Sequence, residues 1–139
     1  MSLQFFYLGC LLMLTVVLHL TWSVAWLNYL KPHSKPSHLV FLAFIASMLV
    51  VHSLEVILFA VFYLWRDGFA EFADALYFSM VTYSTVGYGD LLLPKTLRLV
   101  GAGESLVGGL MTGWTVAMLL HYLNDRHQKI SHQKKDNKQ

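Results

Sequence analysis

The chain has 139 residues, of which 56% are hydrophobic and only 13% charged, with a formal net charge of +2. Soluble domains run at roughly 45–50% apolar and about 25% charged. The composition therefore excludes an ordinary water-soluble domain and points to a membrane protein, with lipids as its surroundings. It holds no enzyme motif and suggests no nucleic-acid partner.

Residues 1–30 contain no Asp, Glu, Lys or Arg. A helix rises about 1.5 Å per residue and the hydrocarbon core is about 30 Å thick, so this run is long enough to span. It lacks the basic start of a signal peptide, is longer than the usual apolar segment of one, and has no small-residue cleavage site before Lys31-Pro32. It reads as an extra N-terminal transmembrane helix over 4–30. The lone Cys10 lies within it, which leaves no partner for an intrachain disulfide.

Lys31 to His38 form a short basic linker whose two prolines stop the first helix, with Ser37 placed to cap the next. A second span follows over 39–65, broken only by Glu55, and a third over 97–124, in which Glu104 is the one charged residue after Arg98. After Asn124 the tail is basic and without apolar periodicity, so 125–139 is expected to be disordered or a fraying helical end. Basic flanks lie on the cytoplasmic side. The linker and tail are then inside, the N-terminus and the 66–96 connection outside, in a multi-pass protein of the cell (inner) membrane.

Residues 66–96 are too few for a fourth span and too apolar for an ordinary loop. Phe72, Ala73, Leu76, Tyr77, Met80 and Val81 recur at helical spacing. A re-entrant helix over 72–83 would be roughly 18 Å long, and the extended segment after it would return roughly 17 Å toward the surface. Non-helical backbone at that depth is tolerable only inside protein or along a water path. One chain with three spans cannot enclose it, so oligomerisation is expected on physical grounds.

That segment reads Thr85-Val86-Gly87-Tyr88-Gly89-Asp90. Glycines at every second position suit a backbone that must present successive carbonyl oxygens to a dehydrating cation, and such carbonyl rings replace the ion's water shell. Val86 and Tyr88 would point away from the axis and pack on the pore helix. The descending helix aims its partly negative C-terminal end at the membrane centre. Asp90 sits at the outer mouth, where a ring of carboxylates would concentrate cations.

Ala75 through Asp90 together resemble the pore helix and selectivity filter of the two-transmembrane potassium channel superfamily, in a bacterial-like form with an additional N-terminal helix. The resemblance covers about 39–124. It implies an all-α membrane fold and a homotetrameric pore, with potassium ions as permeant ligand at Thr85, Val86, Gly87 and Tyr88, coordination extending to Gly89, and no cofactor. The second span would face lipid and the third would line the inner cavity. Val81 stands where many bacterial relatives have Glu, so chemistry tied to that Glu does not carry over. Tyr77 stands where Trp is common; its hydroxyl is expected to bond Asp90 as a filter brace.

In the third span Gly101, Ser105, Gly109 and Gly113 recur every four residues, a small-residue face suited to close backbone approach. Gly109, with Gly108 as the alternative, is the candidate gating hinge. His52 and Glu55 share a face of the second span, and with Glu104 they form a candidate intramembrane polar cluster: a hydrogen-bonded group, a proton sensor or a metal site without a ligand-spacing motif. His19 and His121 read as packed or interfacial residues, and Trp22, Trp26, Tyr29, Tyr63 and Trp65 as interface anchors. The first helix reads as peripheral. Potassium conduction is the favoured function; a secondary cation or proton transporter using His52, Glu55 and Glu104, or a non-conducting channel subunit, are the alternatives.

Overall fold

A computed structural model describes residues 2–30 and 38–136, which form four helices: α1 (Ser2–Leu30), α2 (His38–Trp65), α3 (Phe72–Tyr83) and α4 (Arg98–Asp136). There is no strand among the described residues, so the fold is all-α. Three helices are long and apolar enough to cross a membrane, over Leu3–Tyr29, Leu39–Trp65 and Arg98–Gln128. The linker expected at 31–38, with the Ser37 cap, lies outside the described residues except for His38, which opens α2.

The helix α4 continues to Asp136, past the end expected at residue 124. Residues 125–136 lack apolar spacing but also lack Gly and Pro, and their Arg, Lys and Gln are good helix formers. Propensity extends the helix where hydrophobic pattern gave no signal.

The spans pack as three staves. α1 runs antiparallel to α2, since Tyr7 meets Phe62 and Trp65 while Trp26 meets Phe44. It runs parallel to α4, with Leu8 against Gly103 and His19 near Thr115. Its buried residues are Leu11, Thr15, His19 and Ser23, one every fourth position. In lipid the outward face is apolar by necessity, so it is the inward stripe that carries the polar side chains. α1 thus covers part of α2, which was expected to face lipid. Leu42, Leu49, Leu54 and Val61 of α2 remain outward.

The short α3 is wedged between α2 and α4. Its Ala75, Ser79 and Tyr83 are buried four residues apart. The facing stripe on α4 is Leu97, Val100, Glu104, Val107 and Met111, the three-four spacing of a helix seam. α2 ends on Asp67 at φ 54, with Gly68 N–H reaching Tyr63 O at 2.8 Å. This αL turn satisfies a terminal carbonyl and sends the chain directly into α3.

Candidate functional site

The loop at 85–90 leaves α3 without a break. Ser84 caps the helix in αR conformation, and its amide donates to Met80 O at 3.1 Å. Thr85 N–H then donates to Thr82 O at 2.9 Å, and the amides of Val86 and Gly87 both reach Val81 O at 3.1 Å. Four consecutive amides therefore fold back on the last helical turn, which fixes the loop to the helix end.

Beyond that anchor φ alternates in sign. Thr85, Gly87 and Gly89 have φ of 63, 57 and 75°, and Val86 and Tyr88 between them do not lie in the positive region. Such alternation turns successive peptide planes back on one another, so their carbonyls gather on one side instead of alternating as in a β-strand. Glycine adopts the positive values freely. Thr85 does not, being β-branched, and holding it there costs on the order of 1–3 kcal/mol. Special backbone at the glycines was expected from their spacing; the strain at Thr85 is added by the structure.

Residues 84–90 are all exposed in the single chain. Val86 and Tyr88, expected to pack on the pore helix, stay 54% and 72% exposed. The inward face of α3 is already filled by α2 and α4, so their own helix offers them no seat. At the outer end Tyr77 donates its hydroxyl to Asp90 Oδ2 at 2.7 Å. That bond holds the Asp90 carboxyl below the usual carboxylate range.

The three ionisable residues expected to cluster do not all meet. Glu104 is separate: Tyr63 donates to its Oε2 at 2.6 Å, and Ser79 donates to Oε1. Ser79 also lies 2.8 Å from Val56 O. One carboxylate thereby joins α2, α3 and α4, and Tyr63, expected as an interface anchor, is wholly buried by it. His52 pairs with Thr115, eleven residues further along α4, about 16 Å down the helix axis. The antiparallel register of α2 and α4 is what keeps Glu104 apart.

Glu55 instead gathers His19, His52 and Tyr83. His19 Nδ1 lies 3.0 Å from Glu55 Oε1, His52 Nδ1 lies 3.2 Å from Oε2, and Tyr83 donates to Oε2. Behind them Thr115 Oγ1 is 2.9 Å from His52 Nε2 and 3.4 Å from His19 Nε2. His19, Tyr83 and Thr115 escaped sequence reasoning. The available signal was His19 at four-residue spacing from Thr15 and Ser23 in an otherwise apolar span.

The glycines of α4 divide by surroundings. A Cβ at Gly108 would collide with the Tyr83 backbone carbonyl, whereas one at Gly109 meets only Thr85 Cγ2 at 3.7 Å and one at Gly113 meets nothing. Close approach to backbone within the chain therefore falls at Gly108; Gly101, on the expected face, and Gly103 meet the side chains of Leu93 and Leu8, and Gly109 and Gly113 have room.

These features define a class: a multi-pass helical membrane protein with a short helix ending in a non-helical loop between its last two spans. A family model described as "Ion channel" matches residues 39–125, well over half the chain, and the chain belongs to that family, the two-transmembrane type of ion channel. Membership carries oligomeric assembly and ion permeation. No curated protein and no solved structure matches the chain. Residues 1–38, which include α1, lie outside the family match.

Proposed function

We propose that the protein is a potassium-selective channel, conducting passively and in single file through a homotetramer in the cell membrane. The observation that carries this reading is the alternation of φ sign at Thr85, Gly87 and Gly89, in a member of an ion channel family. Four copies of Thr85–Gly89 around one axis would offer stacked oxygen rings, with the Thr85 hydroxyl at the inner end. A potassium ion entering them exchanges water oxygens for carbonyl oxygens of similar number and field, so dehydration is offset at each step. Binding at several adjacent rings keeps each site weak enough to leave. The C-terminal ends of four α3 helices favour a cation at mid-membrane, and the Asp90 carboxylates raise its concentration at the outer mouth. In this reading α4 lines the inner cavity, the N-terminus and filter lie outside, and the C-terminus is cytoplasmic.

The test is a planar-bilayer recording of the purified chain with potassium on one side and sodium on the other. A reversal potential near the potassium equilibrium value is expected. A reversal potential near zero would overturn selectivity. Saturable, proton-coupled flux would assign a transporter, and silence in the bilayer a non-conducting subunit.

A further inference from the structure

The group around Glu55 is not used by the conduction pathway, and it joins every helix of the chain. The geometry points to a divalent transition-metal site of the kind Zn2+ occupies, formed by His19 Nδ1, His52 Nδ1, the Glu55 carboxylate and the Tyr83 hydroxyl oxygen.

Position comes first. One ligand atom from each of His19, His52 and Glu55 lies within 4.8 Å of the others. Tetrahedral zinc with bonds of about 2.0–2.1 Å has ligand–ligand edges of about 3.3 Å. The separations here are 3.0 Å from His19 Nδ1 to Glu55 Oε1, 3.2 Å from His52 Nδ1 to Glu55 Oε2 and 2.9 Å from His52 Nδ1 to the Tyr83 hydroxyl, so the carboxylate would turn to present one oxygen to the ion. Small side-chain shifts would bring all four donors onto one ion. The mixture of two imidazole nitrogens with hard oxygens suits zinc among the common metals.

Proton supply comes second. A carboxylate only accepts, and a threonine hydroxyl has one proton and two lone pairs. If both rings turn Nδ1–H toward Glu55, both Nε2 atoms need a proton from Thr115, which has one to give. If both rings instead donate Nε2–H to the two lone pairs of Thr115, its hydroxyl is left to face Met48 Sδ at 4.0 Å. The His19 Nδ1 lone pair then confronts a carboxylate oxygen, which a cation there would relieve, while His52 Nδ1 faces both Glu55 Oε2 and the Tyr83 hydroxyl at 2.9 Å. A metal ion there satisfies every group, and Thr115 becomes the outer hydrogen-bond partner that ligating histidines regularly have. Two metal-free arrangements also complete the count: an extra proton on one imidazole, or neutral rings in which His52 donates Nε2–H to Thr115, Thr115 donates to His19 Nε2 and His19 donates Nδ1–H to Glu55, with the Tyr83 hydroxyl at His52 Nδ1. Metal loading separates both from an ion site.

Charge comes third. A divalent ion with Glu55 and an ionised Tyr83 sums to zero, as a group between membrane spans requires. On binding, Tyr83 gives its proton to water through the edge of His52, which is 19% exposed, while His19 and Glu55 are sealed. The metal would clip α1 and α2 to the end of the pore helix, two residues before Thr85.

The experiment uses the full chain without a polyhistidine tag, stripped with a chelator and loaded with Zn2+ or Co2+. One metal per chain is expected, with the intense visible bands of tetrahedral Co2+. His19→Gln should lose that equivalent. Thr115→Val should keep it with about 10–100-fold weaker affinity. Replacing His33, His38, His127 and His132 together with Gln should leave it intact. Should His19→Gln fail to assemble, the wild-type Co2+ spectrum and the Thr115→Val affinity decide alone. Absence of tetrahedral bands, unchanged affinity in Thr115→Val, or loss of the metal with the four substituted histidines would overturn the site and leave a metal-free hydrogen-bonded histidine–carboxylate group.

Discussion

Asp90 is fully accessible, yet its carboxyl is held below the usual range, first by the Tyr77 hydroxyl. A carboxylate held low keeps its charge, and its attraction for cations, down to a lower pH, and loses both as pH falls through the depressed value. In Tyr77→Phe the donor is gone, and Asp90 should titrate nearer the ordinary value of about 3.9. Acidifying the outer solution should therefore cut inward current at a higher pH in Tyr77→Phe than in the wild type. Equal acid midpoints would show that the bond does not act on Asp90. The two neighbouring glycines of α4 give a second contrast at this scale. Gly108→Ala drives a Cβ into the Tyr83 carbonyl, so the end of the pore helix must move, and assembly or conduction should be lost. Gly109→Ala has room and gains helix propensity of about 1 kcal/mol, so it should assemble, with any change confined to gating. Equal assembly yields and conductance in the two variants would remove Gly108 as the close-approach residue.

Between elements, the spans are held less by apolar contact, which lipid matches, than by buried polar joints. The Glu104 joint is the more compact. Removing the Tyr63 hydroxyl leaves a buried carboxylate oxygen short of a donor, a loss of about 1–3 kcal/mol. Tyr63→Phe should thus lower the thermal midpoint of the assembled protein in detergent; an unchanged midpoint would return Tyr63 to the membrane-interface role its place near the helix end suggests. The Glu55 joint depends on α1, the helix that the family match leaves out. Deleting residues 1–30 removes His19 and uncovers a carboxylate that is 0% exposed. Stripping one partner from a buried pair costs about 3–5 kcal/mol, so the truncated chain should assemble poorly. Glu55→Gln in the truncated chain, which removes the orphaned charge, should restore part of the yield. Full assembly of the plain truncation would make α1 peripheral.

At the scale of the molecule, the spans were legible in the sequence because bilayer thickness sets their length and charge interrupts them so rarely. The short helix at 72–83 and the loop after it were legible because apolar spacing switches abruptly to alternating glycines. The pairing of His19 with Glu55 was not: the four-residue spacing of Thr15, His19 and Ser23 marks a polar stripe on an otherwise apolar α1, but not which residue of another helix that stripe meets. The separation of Glu104 from Glu55 was hidden likewise, because it follows from the register of two helices that share no sequence signal. The exposure of Val86 and Tyr88 could not be read from the sequence, since it depends on α2 and α4 filling the inward face of α3. That last point yields a prediction about the assembly. In a single chain residues 85–89 are exposed, and one copy supplies too few oxygens to replace a water shell. In the proposed homotetramer a potassium site would exist only when the copies come together, so potassium would bind the assembled state and not the separate chains. A ligand that binds one state alone stabilises it by about 2.7 kcal/mol at a hundred times its dissociation constant. Replacing sodium by potassium at constant ionic strength should raise the temperature at which the oligomer dissociates, read by native gel or native mass spectrometry, with four chains per particle. Gly89→Ala, which strains the φ of 75°, should diminish that rise. If potassium and sodium give the same dissociation temperature in the wild type, the loop does not form a potassium site, whatever its sequence.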